Sequence, residues 1–334
     1  NTLYITDEAS STVVWRLLKN ATTATVIAGI KDSKGSSNTQ LNYPQGVYVD
    51  TIGTIGSTVG STIAGITKTR GSSLNQFSGP RLIALDPTQT YIYIADGNNN
   101  RIMRYSTTST SGDDGTVVAG GNGAGNTNTS LNHPCGIWCQ PPVSSDLFIT
   151  NCFGHSVIRW TPGASSGTFI AGTPGTAGSN STLLNNPMGI KLDKYLNMFV
   201  ADQGNHRIQM FCANNQTGIT IVGTGVSGNT TTTLNGPRGI AFDSDMNMVG
   251  VGVSSLNPSL GDMVRPMNPE SCNGSNMAIM NTVELVQLLI GYHVKENNYL
   301  VTRSIDESDH DHVQRSIVAI KISHANITST VAIR

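Results

Sequence analysis

The chain carries little charge for its length. Of 334 residues, 12% are Asp, Glu, Lys or Arg, and 20 basic residues stand against 21 acidic ones, so the formal net charge is -1 at pH 7. A nucleic-acid surface needs Lys and Arg clustered on one face. Because the sequence has no basic run, we expect no nucleic-acid partner.

Motifs that indicate a membrane span, a metal centre or catalysis are also missing. No stretch of 18 apolar residues is present, and the five cysteines include no Cys-x-x-Cys pair. A membrane-spanning helix and a zinc ribbon are therefore not expected. The sequence also lacks a Gly-x-Ser-x-Gly elbow, a His-Glu-x-x-His pair and a phosphate-binding Gly-rich loop with its lysine. We therefore expect a protein that is not an enzyme and has no cofactor.

What the chain does contain is an internal repeat in two parts. The run YIADGNNNRI at 93–102 returns as FVADQGNHRI at 199–208. The run LNHPCGI at 131–137 returns at 184–190, 234–240 and 41–47, with a looser copy at 74–83. Successive prolines of the second part, from 80 to 237, are 54, 53 and 50 residues apart. That period suits a unit of four short strands and their turns.

The apolar runs within each unit have the features of strands. They are four to six residues long, rich in Val, Ile, Tyr and Phe, and bounded by Gly, Asn, Ser and Thr. Both faces of 91–94 are apolar, which indicates a sheet packed between two neighbours. Asp96 and Asp202 end such strands, where a carboxylate accepts backbone N–H bonds, so we interpret both as turn-forming residues and not as catalysts.

Both halves of the unit resemble NHL repeats, which form β-propellers of four-stranded blades. The resemblance covers about residues 1–248, and the NHRI tract at 205–208 is close to the signature of that family. It implies a single all-β, six-bladed NHL-like propeller with one incomplete blade and an irregular C-terminal segment. We place the blades at 1–29 with a C-terminal strand, 41–65, 74–120, 131–172, 184–223 and 234–334, with an irregular insertion at 250–296.

Two of these blades depart from the repeat. The second has only about a dozen residues after Asp50 and lacks the Ala-Asp hairpin, so we expect an open strand edge there that favours self-assembly. The first has no inner strand of its own. We expect the tract 316–322 to supply that strand and so close the ring.

Seven Asn-x-Ser/Thr sequons point to an extracellular, secreted glycoprotein. Most of them fall in loops between the expected strands, where covalent N-glycans can be accepted. The alternative, unmodified polar loops, remains open. The sequons begin at Asn20, Asn128, Asn180, Asn215, Asn229, Asn273 and Asn326.

The repeat also positions two of the cysteines. Cys135 follows the proline that enters an inner strand, and Cys152 lies in the next turn at the same rim of that blade. A Cys135–Cys152 disulfide is compatible with this placement. Because the number of cysteines is odd, at least one thiol is left free or paired between chains.

Metal-dependent lyases with an NHL-like propeller hold zinc with histidines in the central channel. The residues that follow the repeat prolines, which we expect at the channel rim, include no histidine: they are Gln45, Arg81, Cys135, Met188 and Arg238. The acidic and His-containing tract 306–312 can also hold a metal, but a solvated loop is the simpler interpretation. We therefore predict no metal site.

These observations favour a non-catalytic scaffold that binds proteins or glycans, including other copies of itself. Two alternatives remain: a structural subunit of an extracellular filament or matrix, and a metal-dependent lyase or hydrolase acting in the channel. Since a fold does not determine a function, the binding role follows from the resemblance.

Overall fold

The structure of the chain is a computed structural model that describes residues 2–7, 11–18, 21, 23–48, 59–139, 145–228, 230, 232–242, 248–252, 272, 317–321 and 329–333. Of the insertion expected at 250–296, only 250–252 and 272 are among these residues. The tract 306–312 lies outside them.

The described strands form one antiparallel three-stranded sheet, three antiparallel four-stranded sheets, a two-stranded sheet and a mixed three-stranded sheet. The first sheet has the order β1-β2-β3, with β1 (Thr2–Asp7), β2 (Val13–Leu18) and β3 (Thr25–Ala28). A two-residue strand, β4 (Gly60–Ser61), follows.

The complete sheets follow each other along the chain. The first contains β5 (Pro80–Leu85), β6 (Tyr91–Asp96), β7 (Arg101–Ser106) and β8 (Thr116–Gly120). The second contains β9 (Pro134–Cys139), β10 (Leu147–Asn151), β11 (Ser156–Trp160) and β12 (Thr168–Ala171). The third contains β13 (Pro187–Leu192), β14 (Met198–Asp202), β15 (Arg207–Phe211) and β16 (Gly218–Val222). Single 3-10 turns, Gly97–Asn99 and Gln203–Asn205, join the second and third strands of the first and third sheets.

The structure supports an all-β propeller but contradicts the expected six blades. Four sheets have the arrangement of a propeller blade: the three complete ones and β1–β3, which lacks an inner strand. Beyond them, β17 (Gly239–Phe242) pairs with β18 (Met248–Gly252) and with no other described strand. Residues 45–48 are not in a strand, because the hairpin that would pair with them is missing from the sequence. The repeat motif therefore occurs more often than the blade it predicts.

The expected closure of the first sheet is also not observed. The tract 316–322 contains β19 (Ile317–Lys321), which pairs with β20 (Ser329–Ile333) and not with β1. Strand β20 pairs in parallel with β4, so the edge that we expected to be open near residue 60 has a partner from the C-terminal part of the chain. Residues 51–58, where the rest of that blade was expected, lie outside the described residues.

Apolar side chains fill the space between successive sheets. One buried cluster joins Tyr93 and Ile102 of the first complete sheet to Ile137 and Ile149 of the second. Both faces of the central strands are therefore covered, as the alternation in the sequence indicates.

Glycines in the inner strands allow these sheets to approach closely. A Cβ atom added to Gly136 would overlap the carbonyl oxygen of Met188, and one added to Gly189 would overlap that of Arg238. Each contact is between the inner strand of one sheet and the start of the next. The glycine of the Pro-x-Gly motif is therefore required by the close packing of two backbones.

A buried Asp–Arg pair holds the loop that leads into two of the complete sheets. Asp202 accepts bonds from Asn185 N and from Arg207 Nε, at 2.7 and 2.8 Å. The guanidinium also donates to the carbonyls of Ser179, Asn180 and Leu183. The same set recurs in the first complete sheet, where Asp96 and Arg101 bind the loop at 72–78. We call each set an Asp–Arg clamp.

The middle complete sheet has lost this clamp. Asn151 and Ser156 occupy the positions of the aspartate and the arginine, and both are fully buried. Asn151 Oδ1 still accepts a bond from Asn132 N, but the other amide atom, Nδ2, and Ser156 Oγ have no partner among the described residues. Charge and counter-charge are thus absent together, so no unpaired ion is left at this position.

This natural replacement predicts how a clamp fails. Arg207→Ser alone leaves the Asp202 carboxylate buried without its cation, and we expect a loss of about 3–5 kcal/mol in the free energy of unfolding, measured in urea. Asp202→Asn combined with Arg207→Ser reproduces the pair of the middle sheet, and it should be more stable than Arg207→Ser alone. Additive losses in the double variant would contradict this account.

A second repeated bond links the turn of each complete sheet to the backbone of the next unit. Asn100 Oδ1 accepts from His133 N at 2.9 Å, His155 Nδ1 from Asn186 N at 3.2 Å, and His206 Nδ1 from Gly236 N at 3.0 Å. The three acceptor residues share a left-handed backbone, with φ near 50°. An imidazole can accept at Nδ1 only when it is neutral. Burial lowers the pKa of His155, which favours this neutral form.

The stability of the fold should therefore depend on pH through His155. The pKa of His155 in the folded state lies below the ordinary value of about 6.5. The contribution of neutral His155 to the free energy of unfolding is therefore complete above pH 6.5 and is lost as the pH falls below that value. His155→Asn places at this position the residue found at Asn100. We expect its free energy of unfolding in urea to equal that of the wild type at pH 7.5. On going to pH 5, the variant should lose about 1 kcal/mol less of this free energy than the wild type does. An equal loss in both proteins at pH 5 would refute the role of His155.

Candidate binding site at the axial surface

The inner strands of the sheets lie side by side and form what we call the axial surface: β5, β9, β13 and β17, together with residues 44–48. Each of these segments begins at or just after a repeat proline. The loops that the Asp–Arg clamps hold lead into β5 and β13. The clamps therefore position the start of these strands, which is the rim of the axial surface.

The charged side chains of the axial surface all have the same sign. Its segments and the prolines that precede them contain Arg81, Lys191 and Arg238 and no Asp or Glu. All three cations are partly exposed. In a chain with one more acidic than basic residue, this arrangement produces a local positive potential.

A polar and aromatic cluster stands at the rim. Arg81 Nη2 lies 2.9 Å from His133 Nε2, and Arg81 Nη1 donates to Gln45 Oε1 at 3.4 Å. The His133 ring stacks on Phe153, with ring centroids 4.4 Å apart and an interplanar angle of 14°. Because a guanidinium only donates, His133 Nε2 is the acceptor and the imidazole is neutral. We call these four residues the rim cluster.

The rim cluster combines an exposed aromatic ring with a buried amide donor. Phe153 is 53% exposed although its ring is stacked on His133, so an aromatic surface remains accessible to solvent. The amide Nε2 of Gln45 is buried and has no hydrogen-bond partner among the described residues. The Arg81 guanidinium thus lies between this amide and the imidazole on which the Phe153 ring stacks.

The other expected rim residues have different surroundings. Met188 is buried, and its carbonyl accepts a bond from Thr150 Oγ1 of the neighbouring sheet at 2.6 Å. Cys135 is also buried. Arg238 is partly exposed beside Gly189. Of the positions after the repeat prolines, Gln45 and Arg81 are therefore the ones brought together, and sequence analysis did not identify Phe153 or Lys191.

Lys191 lies deeper on the axial surface, three residues along β13 from Met188. Its Nζ atom is 4.0 Å from the centroid of the Trp138 ring, on the inner strand of the neighbouring sheet. No carboxylate of the described residues forms an ion pair with it. Burial lowers the pKa of Lys191 to about 8.

The cysteines form two pairs in the structure. Cys135 is joined to Cys152, with Cα atoms 6.0 Å apart, and Cys212 is joined to Cys272, with Cα atoms 5.7 Å apart. The first pair agrees with the placement of Cys135 and Cys152 in the repeat, whereas no sequence pattern indicated the second. Cys139 is free and buried, and burial raises the pKa of its thiol to about 12.

Three sequon asparagines, Asn128, Asn180 and Asn215, are exposed on loops. Asn20, Asn229, Asn273 and Asn326 lie outside the described residues. The occupancy of all seven remains a prediction.

Within the described ranges, no group of three His, Cys, Asp or Glu side chains is arranged to hold a metal ion. The same ranges contain no helix with the length and apolar character needed to cross a bilayer.

No family model and no curated protein matches the chain. Among solved structures, it is similar to a protein of unknown function from Bacteroides thetaiotaomicron VPI-5482, at 16% identity and a TM-score of 0.38, covering 74% of this chain and 52% of that one. An auxiliary nutrient binding protein from the same organism has 14% identity and a TM-score of 0.48, covering 73% and 62%. A streptogramin B lyase has 16% identity and a TM-score of 0.41, covering 73% and 74%.

The chain thus spans about half to three-fifths of the two Bacteroides proteins. At these identities the similarity concerns the fold alone, and the NHL relationship stays a resemblance.

The cysteine pairing predicts a simple thiol count. Without reductant, the native protein should give no reaction with iodoacetamide, because the Cys139 thiol is buried and protonated. In denaturant one thiol per chain should react, and peptide mapping should place it at Cys139. Three or more reactive thiols would show that one of the two disulfides does not form.

Proposed function

We propose that this chain is a binding propeller whose rim cluster holds an acidic sugar. The observation that carries the proposal is the combination of Arg81, the Gln45 amide, whose Nε2 has no partner among the described residues, and the exposed Phe153 ring at one end of a cationic axial surface. A guanidinium and an amide suit a carboxylate. An aromatic ring suits the apolar face of a sugar, and a few polar groups beside an aromatic wall are typical of small-ligand sites.

The rim cluster is also preorganised. Arg81 is held between Gln45 and His133, and His133 is held in turn by the Phe153 ring and by the bond from its backbone N–H to Asn100. Binding of a ligand would therefore cost little conformational entropy in these side chains. No described contact favours the filament or the lyase alternative over this binding role.

The extracellular location and the N-glycans belong to the same proposal. They are supported by the seven sequons and by the exposure of the three that the structure describes. An acidic sugar is a ligand that a secreted binding protein would encounter outside the cell.

Calorimetry with galacturonate, a single acidic sugar, tests the proposal. Arg81→Gln should weaken binding about 10-fold or more, since it removes a charge-assisted hydrogen bond. Phe153→Ala should also weaken it by removing the stacking surface. Tyr195→Ala, at an exposed ring in the turn at the other end of β13, is the matched control and should leave binding unchanged.

Galactose, which lacks the carboxylate, should bind more weakly than galacturonate to the wild type and equally to Arg81→Gln. Equal affinity of the wild type for both sugars would contradict the role of Arg81. Binding of an acidic peptide in place of either sugar would show that the partner is a protein.

A further inference from the structure

Lys191 is a charged side chain for which the described residues provide no counter-ion. Its side chain is partly buried, its ammonium lies over the Trp138 ring, and no carboxylate of the described residues pairs with it. A cation that is taken out of water is costly unless an anion compensates it. The contact with the indole ring recovers only part of that cost.

The pKa of Lys191 also reflects the cost of withdrawing its charge from water. Burial is the cause of the fall in the pKa of Lys191 to about 8, and no nearby charge contributes to it. Lys194, three residues further on, provides an internal comparison. Its Nζ is 5.1 Å from the Tyr195 ring centroid, so it also lies over an aromatic ring, but it is exposed at the outer end of the strand.

The position of Lys191 relates it to the rim. Met188 occupies the rim position of β13, and a strand rises about 3.3 Å per residue, so Lys191 lies about 10 Å deeper on the axial surface. Partial exposure of its side chain indicates that this depth is open to solvent. An extended ligand that enters at the rim can therefore reach the ammonium.

We propose that Lys191 and Trp138 form a second acid-binding subsite, so that the ligand of this propeller carries two acidic groups about 10 Å or more apart. This inference rests on the proposed function, because it assigns the first acidic group to the rim cluster. It narrows the ligand class from an acidic sugar to an acidic oligosaccharide.

Trigalacturonate and galacturonate, titrated into the full-length protein, separate the two subsites. Lys191→Met should weaken trigalacturonate binding about 10-fold and leave galacturonate unchanged, because only the longer ligand reaches the deeper subsite. Lys191→Arg, which keeps the charge, should retain most of the affinity for the trisaccharide. Lys194→Met should change neither affinity.

Protonation provides a readout that a merely structural role would not affect. An anion beside Lys191 raises its pKa, so trigalacturonate should bind with proton uptake near pH 8, seen as a dependence of the binding heat on the buffer. In the wild type labelled with 13C-methyl groups on its lysines, the Lys191 resonance should titrate at higher pH with the trisaccharide present. The Lys194 resonance should not move.

Equal trigalacturonate affinity in the wild type and Lys191→Met, together with an unmoved Lys191 titration, would overturn the second subsite and leave the rim proposal intact. If galacturonate fails to bind the wild type, the rim proposal fails. The role of Lys191 is then tested separately, by titrating its resonance with sulfate as the only added anion. A sulfate-dependent rise in the Lys191 pKa would support an independent anion site. A titration unaffected by saturating sulfate would overturn it.

Discussion

The buried Asp–Arg clamp is the interaction on which the rest of this structure depends. Each clamp holds a loop that has no regular secondary structure. Its guanidinium donates to three carbonyls of the loop, and its carboxylate accepts from one backbone N–H group of the loop. Loops of this kind are normally the variable part of a fold. Here the clamp fixes the loop, the loop sets the start of the inner strand, and the inner strand carries the side chains of the axial surface.

Two further contacts constrain the spacing between neighbouring sheets. The inner-strand glycines bring successive sheets so close that backbone meets backbone, and the bonds accepted by Asn100, His155 and His206 connect each turn to the following unit. Together they define the spacing between neighbouring inner strands. The rim cluster needs this accuracy, because Gln45, Arg81 and the His133–Phe153 pair come from three separate units of the repeat and meet only if those units are correctly spaced.

The middle complete sheet shows that the clamp can be replaced. With Asn151 and Ser156 in place of Asp and Arg, it keeps the bond to the incoming loop and gives up the guanidinium contacts. The same sheet contains the Cys135–Cys152 pair, which connects the start of its inner strand to its central turn. It also carries the Thr150 bond to Met188, where the other two complete sheets have alanine. Covalent and local polar links thus accompany the loss of the clamp where the rim cluster is built.

The sequence by itself determined the strands and their order within a unit, because these depend on local periodicity. It placed Asp96 and Asp202 at strand ends, but their expected turn-forming role was wrong: neither carboxylate caps the turn that follows, and the backbone N–H groups they accept from belong to Ser78 and Asn185 of the incoming loop. It overestimated the number of blades, since the Pro-x-Gly motif marks the start of an inner strand but does not ensure that a hairpin follows to pair with it. Strand β19 shows a similar limit: its apolar pattern identified a strand, but its partner was decided by long-range pairing with β20. Only the tertiary structure could reveal the rim cluster and the unpaired charge of Lys191. The contacts Gln45–Arg81, Arg81–His133 and Trp138–Lys191 join residues that are 36 to 53 positions apart in the chain, and the close packing of sheets brings them together.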